Sequence, residues 1–227
     1  MTDDAAAFPW SLVPAPAPGE MRADYFTWPD PALAGRRWPY FALRGRAPGP
    51  AVAITAAIHG GEYPGPLGAL RLAREIDPAA LRGALLILPL VNQSSFWART
   101  AFATPEDGKN LNRVFPGRAL GSFAEVLAYR VMNEVYRPAD AVIDLHSGDI
   151  FEALADHVLS YESDDPAVTA TNLRLMAAFG LPYAQMFPLP PRPGGTAGNV
   201  TRIGKPAILV EVGGNGLASD ADVAGGY

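Results

Sequence analysis

Apolar positions along this chain fall into short continuous runs, separated by longer stretches in which they recur at helical spacing. Residues 38–44 and 51–58 are two such runs, divided by the turn-rich GRAPGP, and they read as neighbouring strands. Residues 85–91, 141–145 and 207–212 are further runs of strand length. Between these, residues 64–76, 123–136 and 165–179 read as helices. Pro64 suits a first helical turn, where its missing N–H has no intrahelical partner to lose. The stretch PAPAPGE at 14–20 reads as an extended lead-in. Buried strands alternating with helices predict an α/β fold, with a mixed, largely parallel central sheet flanked by helices. The chain then divides into an extended lead-in and edge strand over residues 1–45 and an α/β domain over 46–227, with no internal repeat and no low-complexity tail.

Composition narrows the chemistry. A formal net charge of −5 argues against nucleic acid or an anionic membrane as the main partner. Cysteine is absent, which removes disulfides and thiolate metal sites and leaves His, Asp and Glu as the only strong metal ligands. The N-terminal MTDDAAAFPW is acidic where a signal peptide needs positive charge, and no apolar run is long enough to span a bilayer. A cytoplasmic protein is the expectation.

Three of the apolar runs stop on a group able to bind a metal or move a proton: His59, His146 and Glu211. In open α/β sheets, ligands bind beyond the carboxyl ends of the strands. In HGGE, Gly60 and Gly61 let the backbone curl without a Cβ clash, so Glu62 can face the same point as His59. With His146 they form a His₂Glu set, which holds catalytic zinc in carboxypeptidase A and leaves a fourth position for water. A turn histidine, an exposed glutamate and a satisfied core histidine would be the plainer reading of the same residues. His157 follows no such junction and reads as an ordinary side chain.

HGGEYPG, the segment WARTAFATPEDGKNLNRVFPG, IDLHSG and LVEVGG occur in this order. Together they resemble the succinylglutamate desuccinylase/aspartoacylase branch of the zinc carboxypeptidase family, from about residue 50 to the end. The resemblance implies one zinc ion per chain, held by His59, Glu62 and His146, with Glu211 as general base and acid. It implies that Arg99 polarises the scissile carbonyl and that Asn112 and Arg113 grip a substrate carboxylate. Each role has a chemical rationale: zinc acidifies water, a carboxylate shuttles its proton, a fixed cation faces the oxyanion, and a guanidinium fork fits a carboxylate.

Two features depart from the family. Its Asp-Leu-Asn-Arg becomes Asn110-Leu111-Asn112-Arg113, so the residue that orients a zinc-binding histidine loses its charge. Asn110 can still accept the hydrogen bond, and Asp144, two positions before His146 on the same strand face, is another candidate partner. Relatives also continue into a C-terminal β-rich portion that covers the pocket. This chain stops shortly after Glu211, so the expectation is either a shortened member or a fragment, the latter with a more open cleft and apolar surface beside it. The implied activity is hydrolysis of the amide bond of a small N-acyl amino acid, with a homo-oligomer left open. The NLNRVFPG stretch is similar to that of the N-acetyl-diaminobutyrate deacetylases of ectoine breakdown. A carboxypeptidase acting on short peptides and a catalytically silent zinc-binding protein are the alternatives.

Overall fold

A computed structural model describes residues 7–226. Among these residues one sheet contains eight strands in the spatial order β1-β2-β4-β3-β5-β8-β6-β7. The strands are β1 (Glu20–Phe26), β2 (Trp38–Arg44), β3 (Ala47–Ala56), β4 (Arg82–Leu88), β5 (Ala141–His146), β6 (His157–Tyr161), β7 (Tyr183–Phe187) and β8 (Ala207–Glu211). The central four, β4, β3, β5 and β8, run parallel. Strands β1 and β2 add an antiparallel margin on one side, and β6 joins β8 antiparallel on the other. The expected mixed, largely parallel sheet flanked by helices is therefore present.

The helices are α1 (Pro64–Glu75), α2 (Gln93–Ala98), α3 (Phe123–Arg130), α4 (Pro166–Phe179), α5 (Thr196–Arg202) and α6 (Asp220–Gly225). Their ends follow local chemistry. Pro64 opens α1, the Asp165 side chain accepts from Ala167 N at the start of α4, and Gly180 closes α4 at φ 75°. Ser122 and Glu125 form a capping box on α3, which continues into a wider π-type turn over Val131–Tyr136. None of the described helices is long and apolar enough to cross a membrane.

Two apolar layers sandwich the sheet. On one face, α3, α5 and the loops before α3 bury Trp38, Tyr136, Phe115, Leu127 and Val200. On the other, α1 and α4 place Ala69, Ala73 and Met176 against Ile87, Leu145 and Ile208. Small residues let α1 approach closely: a Cβ on Gly65 would sit 2.8 Å from Leu145 O. Alternation along β5 sends Leu145 into this second layer and leaves Asp144 and His146 on the first face.

One expected pairing does not occur. Strands β2 and β3 are not neighbours, because β4 lies between them. The short GRAPGP link instead crosses the start of β4 at backbone contact. A Cβ on Gly45 would lie 2.2 Å from Leu81 O, and one on Gly83 2.0 Å from Pro50 O. Glycine at both positions removes that obstacle. Strand β4 also begins three residues before the expected run, at Arg82, and ends at Leu88.

Candidate metal centre and adjoining cleft

Strand β3 leaves the sheet at Ala56, and Ala57 takes a left-handed conformation at φ 56°. That conformation costs an L-residue about 1–2 kcal/mol. It turns the chain so that Ile58 and His59 pass beyond the strand end. The two glycines of HGGE do not themselves adopt positive φ. They are needed for close approach: a Cβ on Gly60 would lie 2.1 Å from Ser95 C and O, and one on Gly61 2.1 Å from Asp149 Oδ1. The loop is thus wedged between α2 and the segment after β5. Helix α1 then starts at once, with Glu62 two residues ahead of it.

His59, Glu62 and His146 converge, with ligand atoms all within 4.8 Å of one another and all three residues buried. Glu62 stands between the rings: Oε1 lies 2.6 Å from His59 Nδ1 and Oε2 2.8 Å from His146 Nδ1. Each histidine therefore turns Nδ1 inward. The outward nitrogens are engaged as well. His59 Nε2 lies 3.0 Å from Asn110 Oδ1, and His146 Nε2 lies 2.9 Å from Asp144 Oδ2. Both outer partners considered from the sequence are in place, one on each ring. Asp144 is fully buried and also accepts from Thr55 Oγ1 at 2.7 Å and from Thr196 Oγ1.

Burial opposes charge on His146, but the Glu62 and Asp144 carboxylates on either side outweigh it and raise its pKa well above the ordinary value. Burial also works against ionised Glu62. The two histidines overcome it and hold that carboxyl at about 2. Glu62 Oε2 is buried without an aligned hydrogen bond, and both inward nitrogens point at the same carboxylate. Two imidazoles and a carboxylate, backed by outer acceptors, fit a metal ion.

Glu211 closes β8 opposite His146. Its Oε2 is buried with no hydrogen-bond partner. Burial, with help from the Glu62, Asp144 and Glu152 charges and against the pull of His146, pushes its carboxyl up to about 8. It borders a cleft of about 380 Å³, lined also by Asn112, Arg113, Tyr161, Arg192 and Thr196. Asn112 is buried, its Oδ1 accepting from Thr196 N at 2.9 Å, whereas Arg113 is exposed. Arg99 is not in this cleft lining. It is exposed at the end of α2, left-handed at φ 54°, in a hollow with Tyr63, Phe96 and Trp97. His157 lies outside the metal cluster, with Nδ1 2.9 Å from Ala155 O. Apolar side chains are exposed at Trp97 (72%) and Phe151 (81%).

Tyr161, Arg192 and Thr196 were not legible as cleft residues. Thr196 carried the one available signal, a hydroxyl residue following Gly-Gly where a helix can begin. Arg192 sits in a proline-rich loop with no periodic pattern to place it.

Comparison with known proteins follows the same lines. The succinylglutamate desuccinylase/aspartoacylase catalytic domain matches residues 48–224. The N-alpha-acetyl-L-2,4-diaminobutyric acid deacetylase of Halomonas elongata is 35% identical over 185 residues, 79% of this chain. The chain spans 52% of the length of that relative. The product-bound structure of the ectoine utilization protein EutE (DoeB) from Ruegeria pomeroyi superposes with a TM-score of 0.82 at 26% identity, over 100% of this chain and 68% of that one. An aspartoacylase family protein from Mesorhizobium loti gives a TM-score of 0.77 at 33% identity, over 92% of this chain and 66% of that one.

Proposed function

This chain belongs to the succinylglutamate desuccinylase/aspartoacylase family, and on that footing we propose that it serves zinc-dependent hydrolysis of the amide bond in a small N-acyl amino acid. The observation that carries this reading is the buried His59–Glu62–His146 cluster with Glu211 in register beside it. One zinc ion held by those three residues would supply Lewis acidity and bring the pKa of a water molecule near neutrality.

The chain's own groups supply the rest. Glu211 accepts a proton from water at its unpaired Oε2 and returns it to the leaving amine. Burial and the neighbouring carboxylates raise this carboxyl to about 8 in the metal-free protein, and a cation on His59, Glu62 and His146 would pull it back toward the ionised form that a base needs. Arg113, exposed at the cleft, offers a two-pronged contact to a substrate carboxylate, and Asn112 fixes the backbone that presents it. Arg99, outside the cleft lining in the hollow at the end of α2, serves as the fixed positive charge for the carbonyl oxygen only with its side chain swung toward the metal centre. Asn110 and Asp144 hold the two imidazoles in orientation.

The test is turnover by the zinc-loaded protein on a panel of N-acyl amino acids and short peptides. N-acetyl-diaminobutyrate belongs in the panel, since it is the compound named for the Halomonas relative. Release of free amine from one or more N-acyl amino acids, abolished by a chelator and restored by zinc, is the expected result. Cleavage confined to peptides would replace the deacylase reading with a peptidase one.

A further inference from the structure

Thr196 is the first residue of α5, is fully buried, and makes two bonds in different directions. Its hydroxyl donates to Asp144 Oδ2, the same oxygen that lies 2.9 Å from His146 Nε2. Its backbone N–H donates to Asn112 Oδ1 at 2.9 Å. Asn112 in turn precedes Arg113, whose Nη1 donates to the Asn112 carbonyl at 2.9 Å. We propose that Thr196 is a positioning residue joining the metal centre to the carboxylate-binding side of the cleft, the hydroxyl serving the first and the backbone N–H the second. The second half rests on the hydrolase reading given above.

The chemistry of Asp144 explains why the hydroxyl matters. Its two oxygens have separate tasks: Oδ1 accepts from Thr55 Oγ1, which also meets Tyr136 Oη at 2.8 Å, while Oδ2 faces the histidine. Thr55 thus secures the carboxylate from the sheet side. Thr196 approaches the oxygen that the imidazole uses and fixes where it lies. An outer acceptor sets the tautomer and tilt of a metal-binding imidazole, so its placement is read out as metal affinity.

The side-chain and backbone bonds can be separated by substitution. T196V removes the hydroxyl and keeps both the volume and the N–H. Zinc affinity, measured by chelator competition without substrate, should weaken by about tenfold, the low end for losing an outer-shell partner. The KM for a carboxylate-bearing substrate should stay within about twofold of wild type, because the Asn112 contact persists. T196S should restore wild-type zinc affinity. T55V, which removes an equally buried hydroxyl from the other oxygen, should weaken zinc binding clearly less.

Wild-type zinc affinity in folded T196V would overturn the proposal, and so would equal losses in T55V and T196V. If T196V does not fold, T196C decides, since it keeps a similar shape with only a weak S–H donor. Loosened zinc binding in T196C supports the proposal and unchanged binding refutes it. Because zinc affinity is read without turnover, failure of the hydrolase reading would leave this measurement standing.

Discussion

His146 and Glu211 stand opposite one another at the ends of β5 and β8, partners in a parallel register. Paired residues in a parallel ladder project from the same face. One register therefore delivers the His146 imidazole and an unpaired carboxylate to one edge, beside the turn that brings His59 and Glu62. A one-residue slip of either strand would send one of the pair into the apolar layer of α1 and α4.

The outer partner of His59 is the neutral amide oxygen of Asn110, 3.0 Å from Nε2. Asn110→Asp should tighten zinc binding several-fold by raising the basicity of the ring, and Asn110→Ala should weaken it by roughly 10- to 100-fold. Chelator competition measures both. Equal affinities across the series would remove Asn110 from the centre.

Gly60→Ala would place a Cβ 2.1 Å from the Ser95 backbone. Backbone cannot yield as a flexible side chain can, so stability should fall by about 1–3 kcal/mol or more. Denaturant midpoints would show it, and zinc content should fall as His59 is displaced. A neutral effect would contradict the close wedging of this turn.

Glu211 gives the metal-free protein a defined pH dependence. Its carboxyl is raised from 4.5 to about 8, so between these values the folded state keeps a proton that the unfolded state has lost. Stability from this group is fully present below about 4.5 and is lost as pH rises through about 8. At roughly 1.4 kcal/mol per pH unit the change amounts to a few kcal/mol. Urea midpoints of the chelated wild type should fall relative to those of Glu211→Gln between pH 5 and pH 8. Parallel curves would mean that Glu211 ionises normally.

Arg113→Ala should raise KM for carboxylate-bearing substrates by tenfold or more while leaving matched carboxamides little changed. A charge-assisted contact of about 1.5–3 kcal/mol is lost only for the former. Equal losses for both substrates would make Arg113 structural.

The central strands and the His59–Glu62–His146 cluster were legible because burial on both faces writes a continuous apolar run, and three of those runs ended on a chemical group. Strands β1 and β7 were not: EMRADYF and YAQMF are almost wholly exposed edge segments whose sequence carries no burial signal. The placement of β4 between β2 and β3 depends on contacts far apart in sequence, at Gly45 and Gly83, which no local pattern encodes. Asp144 was legible from its phase with His146 on one strand. The link from Thr196 to Asp144 and Asn112 spans 52 and 84 residues and arises only in the folded chain.

The most direct measurement is zinc content and turnover on the same preparation of Glu211→Gln, beside wild type. The substitution preserves shape and leaves His59, Glu62 and His146 intact. One zinc ion per chain in both proteins, with hydrolysis of an N-acyl amino acid reduced by about 10²–10⁴-fold in the variant, is the predicted result. A variant that hydrolyses the substrate at near wild-type rate, or that loses its zinc, would contradict the division of labour between the three ligands and Glu211.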